Sequence, residues 1–150
     1  MVRSVQPRNF GVDLWRRKLE AGHIVLIDGG MGSELRRRGV AFSEQAWSGL
    51  AADSHRDLLT ELHLEYIASG AEIVTTNTFG TSRFVLEAAG VGDRFEEINR
   101  CAVEAALRAR ERSRSDVGIA GSISCMPPGF DVGAYPSPAA ERAAYRELAI

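Results

Sequence analysis

A carboxylate followed by glycines is the first feature of this sequence that could do chemistry. In the stretch LIDGGMGSEL, Asp28 ends an apolar run and is followed by Gly29, Gly30 and Gly32. Glycines let a ligand approach the main chain closely and let a turn adopt positive φ. The charge of Asp28 would repel a phosphate and attract an amine or a hydroxyl donor. The pattern therefore favours a substrate pocket, and the alternative is that Asp28 is a turn or helix-capping residue.

The glycine spacing does not match nucleotide-binding motifs. Gly30 and Gly32 supply G-x-G, but Leu35 stands where G-x-G-x-x-G requires its last glycine, and no G-K-[ST] follows. A formal net charge of -2 gives no basic footprint for nucleic acid or an anionic membrane surface. No apolar run has the length of a membrane span, and the first ten residues lack a signal-peptide pattern. We therefore expect a cytoplasmic protein without nucleic-acid or membrane partners.

The cysteines and histidines form no metal-ligand pattern. Cys101 is expected to be a small buried hydrophobe on a helix, and Cys125 a loop-packing residue or an incidental thiol. One thiolate cannot build the tetrahedral site that zinc prefers. His23, His55 and His63 lack H-E-x-x-H spacing and are expected to face solvent or to cap elements. The residues of this chain therefore predict no metal site.

Three predicted strands each end in small polar side chains. The strands are HIVLID, EIVTTNTF and VGIAGSIS, which cover residues 23–28, 72–79 and 117–124. Their apolar beginnings suit buried strands of a parallel sheet. The polar residues at their carboxyl ends are Asp28, Thr75, Thr76, Asn77, Thr78, Ser122 and Ser124. Since the carboxyl ends of parallel strands face one ligand site, we expect these side chains to converge on one mouth. Alternatively, Thr and Ser merely satisfy backbone groups at strand ends.

Helices are predicted before, between and after the strands. The first carries Val12, Trp15 and Leu19 at helical spacing, and we expect it to plug or flank the sheet. Ser33 is expected to cap the helix ELRRR, and Asp53 or Ser54 the helix before the second strand. Further helices are predicted in TSRFVLEAAG, in DRFEEINRCAVEAALRARERS and from Ser137 onward; the second of these has a buried stripe of Phe95, Ile98, Ala102, Ala105 and Ala109.

The alternation of strands and helices predicts an α/β fold of right-handed parallel βαβ units. Only three strands are predicted, whereas a flavodoxin-like sheet has about five and a closed barrel eight. The 45% hydrophobic and 25% charged composition is that of a globular domain. We therefore expect residues 1–150 to form the opening part of a larger barrel, truncated at the carboxyl end.

Three blocks of the sequence resemble the homocysteine S-methyltransferase family. They are LIDGGMGSELRRRG, HRDLLTELHLEYIASGAEIVTTNTFGTSR and VGIAGSIS, in the family's order and with similar spacing. The resemblance implies the amino-terminal part of a (β/α)8 TIM barrel, about three βα units, that binds homocysteine at the carboxyl ends of its strands. It departs from the family at SCMPPGF, where the family tends to have Gly-Pro directly after the third strand.

The resemblance also implies site residues and a cofactor. Asp28 matches the acid that contacts the substrate amino group, and the other positions that match the family's pocket lining are Gly29, Gly30, Met31, Asn77, Thr78 and Phe79. Family members hold zinc with three cysteine thiolates, and the zinc binds the substrate sulfur. Those cysteines belong to later strands, so zinc is expected for the full-length family enzyme while its ligands are absent from this chain.

Three hypotheses follow. The chain is the amino-terminal portion of a zinc-dependent methyltransferase that converts homocysteine to methionine, and by itself is inactive. Alternatively, it is an inactive half-barrel that assembles with another chain through its open sheet edges, or a metal-free α/β module that binds an amino acid. The residues leave open the methyl donor, which could be a sulfonium, a betaine or a folate, and the choice between homocysteine and selenocysteine.

Overall fold

The structure, a computed structural model, describes residues 12–149 and consists of seven α-helices and a small parallel sheet within that range. The helices are α1 Val12–Glu20, α2 Met31–Arg37, α3 Ala51–Ser54, α4 Arg56–Ala68, α5 Arg83–Ala88, α6 Phe95–Ser113 and α7 Pro138–Leu148. The strands are β1 Ile73–Thr75 and β2 Gly118–Ala120, and short 3-10 turns lie at 92–94, 128–130 and 132–134. The predicted α/β class and the predicted helices are therefore observed.

The sheet is parallel, as predicted, but smaller than the sequence pattern indicates. β1 and β2 pair with Val74 opposite Ile119. Residues 24–28, here called the edge segment, make one parallel backbone bridge to β1, between Ile27 and Ile73. In that bridge the Asp28 N–H donates to the Ile73 carbonyl at 3.0 Å. The first predicted strand is thus a single bridge, since within the described residues the edge segment has a neighbour on one side only.

Among the described residues, the buried apolar side chains form two clusters: the larger one joins helices α2 to α6, and the smaller one lies between one face of the sheet and helices α4 and α6. In the smaller cluster, Val74 is buried together with Ile67 of α4 and Ala106 and Ala109 of α6. Alanines on α6 let its backbone approach α4 and the sheet closely, which raises packing density at the contact. The predicted stripe is buried along its whole length and comprises Phe95, Ile98, Ala102, Ala105 and Ala109.

Large apolar side chains remain exposed elsewhere on the sheet. Ile24 is 84% exposed and Ile27 67%, so the prediction that residues 23–28 form a buried strand is wrong for the described part of the chain. Ile123, which follows β2, is 52% exposed. Parallel sheets are normally covered on both faces. Here only one face is covered by described residues, and the apolar side chains of Ile24, Leu26 and Ile27 in the edge segment are left exposed.

Helix α2 starts earlier than predicted. It begins at Met31 with Gly30 in the N-cap position, so Ser33 lies inside the helix and does not cap it. The prediction assumed that the helix would start after the glycines, whereas Gly32 is incorporated into its first turn. Gly39, at φ 82°, follows the helix as predicted.

The helix before β1 is divided in two, and neither predicted cap is used. His55 separates α3 from α4 and stands at the N-cap position of α4 without a side-chain cap bond. Asp53 instead accepts hydrogen bonds from Arg94 at 2.7 and 2.9 Å. The Ser54 hydroxyl donates to the Leu50 carbonyl at 3.1 Å, which is a bond back into the preceding turn.

Helix α1 lies beside the starts of both strands, as predicted. The Trp15 ring passes so close to Gly118 that a Cβ there would lie 3.3 Å from Trp15 Cδ1. Lys18 forms an ion pair with Glu72, the residue before β1. Leu19 of the predicted apolar face is half exposed, so Trp15 makes the main described contact.

Helix α7 begins at the predicted place. The Ser137 hydroxyl accepts a hydrogen bond from the Ala140 N–H and caps the helix. The helix docks on α5 through the Arg83–Glu147 ion pair and an edge-to-face contact between Phe84 and Tyr145. None of the helices within residues 12–149 combines the length and apolar character required to cross a bilayer.

Candidate functional site

A cavity of about 220 Å³ lies where the edge segment and the two strands end. Asp28, Thr75 and Ser122 mark the three strand ends around it. The full lining is Asp28, Gly29, Gly30, Met31, Gly32, Trp47, Ser48, Thr75, Thr76, Asn77, Phe79 and Ser122. Five of the seven polar strand-end residues therefore meet at one mouth, as predicted, whereas Thr78 and Ser124 lie outside this lining. Six of the seven predicted site residues line the cavity.

Asp28 is the only carboxylate in this lining and is held by Thr75. The Thr75 N–H donates to Oδ2 and the Thr75 hydroxyl donates to Oδ1, both at 2.8 Å. Burial raises the pKa of Asp28, and the hydrogen bonds from Thr75 act in the opposite direction. Asp28 therefore joins the edge segment to β1. Its side-chain hydrogen bonds within the described residues go to Thr75, and none of them caps a helix or closes a turn. Each oxygen retains acceptor capacity for a ligand.

Gly29 and Gly32 are closely packed against neighbouring side chains, and their backbone angles are ordinary. A Cβ on Gly29 would lie 3.1 Å from the Tyr66 hydroxyl, and one on Gly32 would lie 3.1 Å from the Ser48 hydroxyl. Gly30 has φ −69°, and neither Gly29 nor Gly32 has a positive φ. The prediction of positive φ is wrong here, because α2 begins directly at Met31 and the chain enters it from an extended conformation.

Asn77 connects the end of β1 to the segment before α3. Its amide donates to the Ser48 carbonyl at 2.9 Å, and the Ser48 hydroxyl donates to Asn77 Oδ1 at 3.4 Å. Both residues are buried. These bonds fix the position of Ser48 and of its neighbour Trp47 at the cavity wall.

Thr78 is the one predicted site residue that does not line this cavity. Its hydroxyl donates to the Ser122 carbonyl at 2.8 Å and lies 2.8 Å from the Thr76 hydroxyl. The Ser122 N–H in turn donates to the Thr78 hydroxyl at 3.1 Å. Thr78 thus ties the end of β1 to the segment after β2. Thr78 therefore fits the alternative interpretation, in which a polar side chain at a strand end satisfies backbone groups.

An aromatic cluster forms one wall of the cavity. The Trp47 ring makes edge-to-face contacts with Phe42, Phe79 and Phe130, with centroids 5.6, 5.9 and 6.0 Å apart. Trp47 has φ 49°, a left-handed backbone conformation that is costly for a bulky residue. The surrounding turn maintains it, since the Ser43 N–H donates to the Trp47 carbonyl at 2.8 Å.

Trp47 and Ser48 are site residues that the sequence analysis did not identify. They lie between α2 and α3, in a segment without strand or helix periodicity. The signal that was present is a tryptophan flanked by the small residues Ala46, Ser48 and Gly49. Such flanks permit close backbone packing, but their partner is a distant segment and cannot be identified from local spacing.

The described residues do not fit a metal ion. No group of three His, Cys, Asp or Glu side chains is assembled anywhere in residues 15–149 that could hold one. Cys101 is fully buried in α6, as predicted, and Cys125 is an exposed free cysteine rather than a loop-packing residue. A zinc site of the tetrahedral type requires several ligands in one place, and this part of the chain does not provide them.

The prediction that all three histidines face solvent or cap elements is wrong for His63. His23 and His55 are exposed, but His63 is fully buried in α4 and neither ring nitrogen has a hydrogen-bond partner among the described residues. Burial lowers the pKa of His63 to about 4. The ring lies on the buried side of α4, one turn from Leu59 and from Ile67, and the expectation of an exposed ring followed the residue type rather than this spacing.

Comparison with known proteins agrees with this arrangement. The family model described as Homocysteine S-methyltransferase matches residues 25–149. Homocysteine S-methyltransferase 3 of Arabidopsis thaliana is 31% identical over 117 residues, which are 72% of this chain and 33% of the relative. Selenocysteine methyltransferase of Astragalus bisulcatus is 33% identical over 93 residues, which are 61% of this chain and 28% of the relative.

A solved structure has the same fold over most of the chain. The metallated form of the homocysteine methyltransferase MmuM from Escherichia coli superimposes with a TM-score of 0.70 and 25% identity, covering 89% of this chain and 51% of that protein. The chain therefore spans about half of that structure and about a third of the two curated relatives. The family model covers five sixths of the sequence, and the chain belongs to the homocysteine S-methyltransferase family.

Proposed function

We propose that this chain is the substrate-binding, amino-terminal part of a cytoplasmic (β/α)8 methyltransferase that binds homocysteine or its selenium analogue in the cavity at the strand ends. The observation that carries the proposal is the half-buried Asp28 carboxylate, held in a small cavity by a chain of this family. A carboxylate with free acceptor positions recognises a substrate ammonium group by a charge-assisted hydrogen bond.

The proposed reaction is methyl transfer to the substrate sulfur. The thiol releases its proton to solvent, the sulfur forms a bond to the methyl carbon, and the bond between that carbon and the donor breaks with its electron pair staying on the donor, which leaves methionine and a demethylated donor. In this chain Asp28 holds the amino group, while Phe79 and Trp47 exclude water from one side of the cavity. The methyl donor is a sulfonium, a betaine or a folate, and these residues do not distinguish among the three.

Zinc, which the family resemblance implies, finds no fitting ligand set in the described residues. We propose that its ligands lie in the remainder of the intact protein. Bound zinc would keep the substrate sulfur as a thiolate at neutral pH. The contribution of residues 15–149 is to bind and orient the substrate.

Replacing Asp28 with asparagine in the intact protein is expected to weaken homocysteine binding by about 10–100-fold, because a hydrogen bond between charged groups is lost. Isothermal titration with L-homocysteine measures this. Asp116→Asn, an exposed acid before β2, is the matched control and should bind as the wild type does. Metal content should be equal in all three proteins.

A second ligand separates this role from a general disturbance of the cavity. The homocysteine analogue 4-mercaptobutanoate lacks the amino group, so Asp28→Asn should bind it as well as the wild type does. Equal affinity of both proteins for homocysteine would remove Asp28 from the site. Equal weakening for both ligands would indicate a damaged cavity.

The exposed sheet residues favour a second proposal, that other polypeptide covers this sheet. Ile24, Leu26 and Ile27 are 84, 55 and 67% exposed. Large apolar side chains that are this exposed next to one another along an open sheet edge are typical of an interface or an aggregation site. In the proposed barrel, the cover is the rest of the domain; for an isolated chain, it is a second chain that pairs with the open edge.

A polypeptide of residues 1–150 alone is therefore expected to be oligomeric, molten or aggregation-prone. Light scattering after gel filtration should give a mass well above the 16.3 kDa of one chain, or, if the chain is a molten monomer, its thermal unfolding should show no sharp cooperative transition. Ile27→Lys should reduce this association, since a charge on the edge opposes pairing. A 16.3 kDa monomer with a sharp cooperative melt in dilute solution would contradict the proposal.

A further inference from the structure

Thr75 occupies a position of β1 from which it can control Asp28. In β1 the buried Val74 points into the helix-covered core, while Ile73 and Thr75 on either side of it are only partly buried. Since successive side chains of a strand point to opposite faces, Thr75 lies on the face away from α4 and α6. The bridge from Ile27 to Ile73 sets the register that places Asp28 beside it.

The two hydrogen bonds constrain the carboxylate in both position and charge. Thr75 uses its N–H for one oxygen and its hydroxyl for the other, each at 2.8 Å, so the carboxylate plane cannot rotate without breaking a bond. Both bonds are accepted by oxygens, which favours the ionised carboxylate over the acid. One acceptor position on each oxygen remains for a ligand in the cavity that Asp28 and Thr75 both line.

The surroundings of Asp28 supply no counter-charge of their own. Among the described residues, burial and the Thr75 bonds are the main influences on the pKa of Asp28, and no basic side chain contributes. The titratable group that faces it from α4 is Tyr66, whose own pKa is raised by burial and then by Glu34 and Asp28. On α2, Glu34 is paired with Arg37, and the segment after β2 contributes only the neutral Ser122 to the cavity lining.

We propose that Thr75 is a positioning residue for substrate recognition: by holding one oxygen of Asp28 with its N–H and the other with its hydroxyl, it keeps the carboxylate ionised and oriented, and thereby makes the cavity selective for a cationic amino group. This inference rests on the proposed function and deepens it. No basic side chain pairs with the half-buried Asp28 carboxylate among the described residues, and the substrate ammonium group supplies the counter-charge.

The test compares Thr75→Val, Thr75→Ala and Thr75→Ser in the intact protein. Valine has the branched shape that suits a strand but lacks the hydroxyl, alanine lacks it in a smaller side chain, and serine retains it. The first readout is independent of any ligand: the carboxyl carbon of Asp28 is titrated by 13C NMR. We expect a pKa about one unit higher in the valine and alanine variants, and a value close to that of the wild type in the serine variant.

The second readout is the pH profile of homocysteine binding by isothermal titration. With valine or alanine at position 75, the acid limb of the profile should move up by the same amount, so that binding weakens by up to about tenfold at pH values below both pKa values and by less at pH 8. Binding of 4-mercaptobutanoate should not acquire this acid limb. A purely structural role of Thr75 would weaken binding equally at all pH values.

The outcomes distinguish the inference from the proposed function. If the wild type binds homocysteine and the hydroxyl-free variants leave both the Asp28 titration and the pH profile unchanged, the inference is overturned. If the wild type binds no homocysteine but the variants shift the Asp28 titration, Thr75 does control the carboxylate, and it is the proposed function that fails. If Thr75→Val does not fold, the alanine and serine pair decides by the same measurements.

Discussion

Replacing Gly80 with alanine is expected to lower the free energy of unfolding by about 2–4 kcal/mol, which makes it one of the two largest effects predicted for this protein. A Cβ at position 80 would lie 2.6 Å from the Ala46 carbonyl oxygen and 3.2 Å from Met126 Cε. The nearest atom belongs to the backbone, so no side-chain rotation relieves the clash. The segments that carry Phe79 and Trp47 must separate.

The same substitution should widen the cavity and weaken ligand binding, because these two segments form its aromatic wall. Urea denaturation of the intact protein measures the stability, and titration with homocysteine measures the binding. Gly121→Ala is the matched control, since a Cβ at position 121 meets nothing within 4 Å and the residue has no positive φ. Equal stability of the Gly80 and Gly121 variants would show that the two segments are not held together as described.

His63 is expected to produce the largest dependence of stability on pH from a single side chain. Its folded-state pKa is lowered from 6.5 to about 4 by burial, so the folded protein prefers the neutral ring. The stability that depends on this neutral ring is fully present above pH 6.5 and is lost as the pH falls from 6.5 towards 4. A shift of this size corresponds to about 3 kcal/mol.

His63→Leu tests this by removing the titrating ring from an apolar site. Between pH 7 and pH 4, the variant should lose about 3 kcal/mol less of its unfolding free energy than the wild type loses, as followed by urea denaturation at several pH values. Other groups also contribute to acid unfolding, so the difference between the two proteins is the quantity that matters. His23→Gln removes an exposed histidine and should retain the wild-type acid loss. An identical pH dependence in His63→Leu would mean that the ring is hydrated or charged in the folded protein.

The error on His63 shows where local patterns fail. The sequence indicates that α4 is amphipathic, and Leu59, Leu62 and Ile67 are buried as apolar spacing requires. His63 occupies the same side of the helix as Leu59 and Ile67, one turn from each. Periodicity therefore placed it in the core, and the expectation of an exposed ring came from the residue type alone. Position on the helix decided the outcome, since a neutral imidazole costs less to bury than a charged one.

The edge segment shows a different kind of failure. Its residues 24–27 are a continuous apolar run, which is typical of a strand covered on both faces. The structure leaves Ile24 and Ile27 mostly exposed, because the described residues provide a neighbour on one edge only and helices on one face only. An apolar run predicts a strand, but the burial of that strand depends on the segments that pack against it in the tertiary structure.

Several features of this protein were determined by the sequence alone. Alternating apolar runs and amphipathic helices specify the parallel βαβ order, and the small polar residues at the strand ends specify a polar mouth there, because these patterns act over a few residues. Only the tertiary structure decided that Thr75 holds Asp28 and that Thr78 turns away from the cavity to Ser122. It also brought Trp47 to the wall beside Phe79. Those contacts join segments about 30 to 50 residues apart, and their geometry follows from strand register and close backbone packing rather than from any local spacing.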